Sequence, residues 1–248
     1  MTFTLSAVDV RKQFGGVHAL RGVSLSVEEG QVVGLIGPNG SGKSTLLNVM
    51  AGVDRPTAGT VSLDGVRLDR LPAHRIVERG IAKTHQIPKP FLGMTTQDNV
   101  TVAALYGARK ARDLRAAADE ARWVLRLVGL EAQADSLAAN LSVQARKRLE
   151  LARIIATGAR ILLLDEVFAG LSPDELRDAM SLFTTIQKEV GFGALVVEHV
   201  MRAVLTLSGH VVVIEEGRKI AEGSPSEVVR DPRVIEAYLG TEAAHAAT

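Results

Sequence analysis

The sequence contains no cysteine, which excludes a disulfide framework and thiolate metal sites and fits a reducing compartment. Aromatic residues make up only 4% of its 248 residues against 46% hydrophobic, so the core has to be packed from aliphatic side chains. The formal net charge is +1, and nothing in that balance argues for bulk attraction to nucleic acid or to an anionic membrane. No apolar run approaches the roughly 18 residues that would mark a membrane span. Met1-Thr2-Phe3-Thr4 lacks the basic segment and apolar stretch of a secretory leader. These absences leave a soluble protein, expected in the cytoplasm. The length suits one large α/β domain, alone or with an inserted lobe.

What the sequence has is one stretch that organises the rest. Val32-Val33-Gly34-Leu35-Ile36 reads as a buried strand and Leu46-Leu47-Asn48-Val49-Met50 as a helix. Between them lie Gly37, Pro38, Asn39, Gly40, Ser41, Gly42, Lys43, Ser44 and Thr45, the pattern G-x-x-x-x-G-K-S of a phosphate-binding loop. Glycines let successive backbone N–H groups converge on an anion, and the helix N-terminus adds its dipole. Lys43 supplies a point charge for the β- and γ-phosphates of a nucleoside triphosphate, and the Ser44 hydroxyl can ligate Mg²⁺.

Around this site the chain changes texture twice. Residues 3–10 and 20–27 alternate in part, as antiparallel strands do, with turns at Gly15-Gly16 and Glu29-Gly30. Residues 59–65 form a further strand ending in an Asp64-Gly65 turn. From about Pro72 to Asn140 the composition is helical, at 73–79 and again at 114–128. Ile87-Pro88-Lys89-Pro90-Phe91-Leu92-Gly93-Met94 interrupts it as a proline-broken apolar loop that no regular element can contain. From Val143 onward helices (143–157, 173–189) alternate with near-continuous apolar strands (161–164, 194–197, 211–215), followed by a turn and residues 219–221. That alternation predicts a mostly parallel sheet buried on both faces, with a β subdomain before it and a helical lobe inserted.

The strand Ile161-Leu162-Leu163-Leu164 delivers Asp165 and Glu166 to its C-terminal end, the edge where open α/β sheets bind ligands. Asp165 is placed to hold Mg²⁺ and Glu166 to polarise a water attacking the γ-phosphate.

The phosphate loop, Gln86, Leu141-Ser142, Asp165-Glu166 and His199 occur in the order and rough spacing of ATP-binding cassette (ABC) ATPases. The chain resembles that family to about Leu239. The resemblance implies a core with its β subdomain from residues 1–86 and 160–240, a helical signature lobe at 87–159, and a flexible tail at 241–248. It further implies that Gln86 touches Mg²⁺ and the attacking water, that His199 reaches the γ-phosphate, and that Phe14 stacks on adenine. ATP and Mg²⁺ are the implied ligands, with Ser44, Gln86 and Asp165 on the metal. In the family two cassettes enclose two ATP molecules head to tail, so Ser142 would meet the ATP of a partner subunit, identical or homologous.

The signature here is Leu141-Ser142-Val143-Gln144-Ala145, where the family usually reads Leu-Ser-Gly-Gly-Gln. Ser142 suits a helix N-cap. The following Arg146-Lys147-Arg148 opposes the helix dipole or forms a solvated face. Ala169-Gly170-Leu171-Ser172 stands where many members end in Asp. Other segments resemble the ATPase subunits of branched-chain amino-acid importers: Arg11-Lys12-Gln13-Phe14-Gly15-Gly16, Lys83-Thr84-His85-Gln86, Lys147-Arg148-Leu149-Glu150-Leu151-Ala152-Arg153, Ala169-Gly170-Leu171 and Pro232-Arg233-Val234-Ile235-Glu236-Ala237-Tyr238-Leu239-Gly240. That likeness implies membrane permease subunits, indirectly a solute-binding protein, and a peripheral position on the cytoplasmic face of the membrane. The alternatives are a lipopolysaccharide-export ATPase, an importer ATPase for urea or aromatic acids, and, from another class, a small-molecule kinase with a phosphate loop.

Overall fold

A computed structural model describes residues 3–84, 87 and 89–239. Two sheets carry the fold. The first is antiparallel, in the order β2 (Val17–Glu28), β1 (Thr4–Phe14), β4 (Ala58–Leu63) and β5 (Val66–Arg67). Asp64 and Gly65 turn the β4–β5 hairpin, both with positive φ (50° and 79°), as the Asp-Gly pair predicts.

The second sheet is ordered β10 (Arg218–Gly223), β9 (His210–Glu215), β3 (Val32–Ile36), β8 (Gly193–Val197), β7 (Ile161–Asp165) and β6 (Ile81–Lys83). From β9 to β6 every pairing is parallel, and β10 closes the edge antiparallel to β9. The unbroken aliphatic runs of β7 and β8 are buried at every residue, because apolar layers cover both faces.

One layer joins the two sheets through Leu5, Val27, Leu35, Leu163 and Leu195, with Leu47 from helix α1 (Lys43–Met50). The other packs Leu162, Leu164 and Val196 against α3 (Thr96–Tyr106), α4 (Leu114–Leu127), α5 (Val143–Ala156) and α6 (Pro173–Val190). Helices α7 (Met201–Leu207), α8 (Pro225–Val228) and α9 (Pro232–Leu239) complete the described residues.

The texture change at Pro72 comes earlier than the packing change. Helix α2 (Ala73–Glu78) puts Ile76 into the layer between the sheets, not among α3–α5, and β6 then enters the parallel sheet. Helix α3 is absent from the expected elements because Thr96, Val100, Thr101 and Val102 weaken its helical pattern. It forms because Thr95 Oγ1 accepts the Asp98 N–H at 3.0 Å and because α4 and α5 pack against it.

Candidate active site

Strands β3, β7 and β8 end on the same side of the sheet, so whatever follows them converges. The loop after β3 must bend tightly against its neighbours. A Cβ on Gly37 would lie 1.9 Å from the Ile214 carbonyl oxygen, and one on Gly42 would lie 2.5 Å from that of Ala19. Only glycine fits at either place. Helix α1 then starts at Lys43 with no side-chain cap and no acidic residue in its first turn, so its N-terminal dipole faces the loop uncompensated.

Lys43 is buried, and its Nζ donates to the carbonyls of Gly37 and Pro38, both at 2.8 Å, and to Ser41 Oγ at 3.4 Å. Burial pushes the ammonium below its ordinary pKa, while the Glu166 and Asp165 carboxylates oppose that fall. Asp165 is also buried. Its Oδ1 accepts from Ser44 Oγ at 3.4 Å and its Oδ2 pairs with Lys83 Nζ at 3.3 Å. The backbone N–H of Asp165 donates to Thr84 Oγ1 at 2.9 Å, which fixes the strand end.

Glu166 has φ 52°, a left-handed conformation that costs about 1–3 kcal/mol in a residue with a side chain. Its N–H still donates to the Val197 carbonyl at 2.9 Å, so β8 holds the bend in place. The bend separates two consecutive carboxylates: Asp165 faces Ser44 and Lys83, and Glu166 Oε1 meets His199 Nε2 at 2.9 Å. Next to His199, Glu198 is 1% exposed, and burial raises its carboxyl to about 7. Its Oε1 accepts the Phe168 N–H at 2.6 Å.

Asn39, Gly40 and Ser44 are exposed on the loop, with Pro38 and Thr45 half-buried. Phe14 ends β1, half exposed, with Lys12 Nζ 4.6 Å from its ring centroid. Gln86 lies outside the described residues. Ser142 caps α5, its Oγ accepting the Ala145 N–H at 3.2 Å. It lines a cleft of about 520 Å³ with Gln144, Lys147, Phe168 and Glu175, and no residue of 37–45 borders that cleft. Within one chain the fold gathers Lys43, Ser44, Asp165, Glu166 and His199, while Ser142 lines a cleft that no residue of 37–45 borders.

The basic trio is not a uniformly solvated face. Arg146 Nη2 donates to the Ala139 carbonyl at 2.5 Å, and Lys147 Nζ donates to the Ala169 carbonyl. Ser172, standing where many relatives end in Asp, caps α6 in a reciprocal box with Glu175. Sequence reasoning assigned nothing to Lys83, Thr84 or Glu198. The available signal for Glu198 was an acid continuing the apolar run Val196-Val197.

These placements define a phosphate-loop nucleoside triphosphatase. Residues 20–169 match the family model described as ABC transporter, and residues 218–244 match that of the branched-chain amino acid ATP-binding cassette transporter. The chain is 40% identical over 240 residues to the high-affinity branched-chain amino acid transport ATP-binding protein BraF of Pseudomonas aeruginosa, covering 92% of this chain and 94% of that one. The Escherichia coli protein LivG, of the same description, is 35% identical, with 95% and 97% covered. The E. coli lipopolysaccharide export system ATP-binding protein LptB is 31% identical, with 96% and 98% covered.

Among solved structures, the ADP conformation of an ATP-binding cassette of an ABC transporter superposes with a TM-score of 0.85 at 30% identity, covering 97% of this chain and all of that one. A dimeric cassette in a post-hydrolysis state with ADP and Pi gives 0.79 at 25% identity, with 89% and 98% covered. The chain belongs to the ABC transporter family, among the ATP-binding proteins of branched-chain amino-acid transporters, and is an ATPase. The kinase alternative is set aside with that assignment.

Proposed function

We propose that this chain binds ATP at its phosphate loop and uses Glu166 as the base of hydrolysis to drive import of branched-chain amino acids through separate permease subunits. The observation that carries the reading is the junction of Lys43, Ser44, Asp165 and the Glu166–His199 pair at the ends of β3, β7 and β8. First-turn N–H groups of α1 and the Lys43 ammonium receive the phosphates. Phe14 offers an exposed ring for the adenine.

Ser44 Oγ and Asp165 Oδ1 are neighbouring hard oxygen donors, which suits Mg²⁺, an ion that takes one or two protein oxygens beside phosphates and water. Bound there, the ion would neutralise charge developing on the phosphate oxygens. Asp165 and Ser44 would hold it, and Gln86 is the third residue assigned to it. His199 donates to Glu166 and stands at the mouth of the site, 43% exposed, where it can turn to a γ-phosphate.

Ser142 serves the ATP of a partner cassette, consistent with its bordering a cleft that its own phosphate loop does not line. The loop at 87–94 offers the permease an apolar face: Ile87, Phe91 and Leu92 are all exposed. Phe91 is held by the buried Asn99, whose side chain accepts the Phe91 N–H at 2.8 Å and donates to the Phe91 carbonyl at 3.0 Å. Arg153 braces the same loop, 5.1 Å from the Phe91 ring and 2.9 Å from the Lys89 carbonyl. The match at 218–244 favours branched-chain amino acids over the solutes of other cassettes. Among the described residues no helix is long and apolar enough to cross a membrane, so the chain would reach the bilayer through its permease.

Cells lacking this chain should lose uptake of labelled leucine, isoleucine and valine and regain it with the wild type but not with Glu166→Gln. Unchanged uptake of all three would refute the solute assignment.

A further inference from the structure

Glu198 is a buried acid with no part in the chemistry above. Its Oε1 accepts the Phe168 N–H, and its buried Oε2 has no hydrogen-bond partner among the described residues. A buried, half-satisfied carboxyl is destabilising for want of the missing bond, so stability does not account for an acid here. Its surroundings do. Phe168 follows Glu166 by two residues, and its buried ring meets Phe183 edge-on at 6.0 Å. The next carbonyl, that of Ala169, takes the ammonium of Lys147 from helix α5, five residues beyond Ser142. The short segment 166–169 is thus gripped from both sides, by the strand end carrying His199 and by the helix carrying Ser142.

We propose that Glu198 and Lys147 are positioning residues: together they fix Phe168 and Ala169 so that Glu166 faces His199, and they transmit movement of α5 to Glu166. This rests on Glu166 acting as the base. A displacement of about 1 Å in a reacting group lowers rates on the order of 100-fold, so even a partial release of the segment is measurable. The bond lost in either variant lies outside the phosphate loop, so nucleotide affinity should survive.

The test measures steady-state ATP hydrolysis and thermal unfolding of the full chain. Glu198→Leu removes the acceptor, and Lys147→Met removes the ammonium while keeping the stem. Each should lower kcat at least about tenfold with KM for ATP within about twofold, because transition-state positioning is lost and ground-state binding is not. Glu198→Gln keeps an acceptor for the Phe168 N–H and should retain most of kcat. In a Glu166→Gln background, Glu198→Leu should add no further loss.

Wild-type kcat in Glu198→Leu, or an equal fall in Glu198→Gln, would overturn the proposal, as would additive loss in the double variant. If Glu198→Leu does not fold, Lys147→Met decides alone, and wild-type turnover there overturns the coupling. Full activity of Glu166→Gln would instead remove the base assignment, which distinguishes the two failures.

Discussion

His199 Nε2 stands 2.9 Å from Glu166 Oε1, and the two residues reach each other from the ends of adjacent parallel strands. An ionised carboxylate only accepts, so the proton of this contact sits on Nε2. The histidine thereby orients the carboxylate at the mouth of the site, and the left-handed turn at Glu166 makes that meeting possible.

Glu166→Gln keeps the volume and the acceptor oxygen for His199 but cannot take a proton from water. Hydrolysis should fall on the order of 100-fold or more, the usual contribution of a positioned base, while ATP affinity stays near wild type. Phosphate release and equilibrium binding of a fluorescent ATP analogue measure the two. Near-normal turnover would remove Glu166 from that role.

Lys43→Ala deletes the ammonium that bridges the Gly37 and Pro38 carbonyls as well as the charge offered to phosphate. ATP affinity should weaken at least about tenfold, equivalent to about 1.4 kcal/mol. Calorimetric titration with ATP checks it, and a wild-type Kd would contradict the assignment of the loop.

Ser142→Arg removes the cap of α5 and puts a cation at the positive end of its dipole, so stability should drop by about 1 kcal/mol. If Ser142 serves a partner's ATP, hydrolysis should fall at least about tenfold while the monomer still binds ATP. Turnover unaffected by the substitution would argue against a shared site.

Glu198 titrates at about 7 in the folded chain against 4.5 for an ordinary glutamate. Burial drives the rise, and the neighbouring Glu166 charge adds to it, while the Phe168 N–H, the Lys147 ammonium and the His199 backbone oppose it. The folded protein therefore keeps a proton that the unfolded chain releases above about pH 4.5. The group's cost to stability is absent below that pH, grows as pH rises, and levels off above about 7 at a few kcal/mol, at about 1.4 kcal/mol per unit. Wild-type urea midpoints should lose ground to those of Glu198→Gln between about pH 5 and pH 8. Parallel pH trends in the two proteins would show that the raised value is wrong.

Much of this was legible locally. The phosphate loop, the Asp64-Gly65 turn, the cap at Ser142 and the buried strands β7 and β8 each depend on residues adjacent in sequence, where pattern and physics coincide. Composition marks α2 as a helix without saying that Ile76 packs between the two sheets. Helix α3 was hidden because its β-branched residues are tolerated only with α4 and α5 against it.

The sequence by itself determined the chemistry available: a glycine loop that can bend around an anion, a lysine and serine at a helix start, and two acids at the end of an aliphatic strand. Only the tertiary structure decided how those groups are shared out. Parallel pairing of β7 with β8 brings Val197 opposite Asp165, and from that register follow the Glu166 turn, its contact with His199 and the burial of Glu198 against Phe168. These contacts join residues about 30 positions apart, and no local pattern records a register between two strands that are both uniformly apolar.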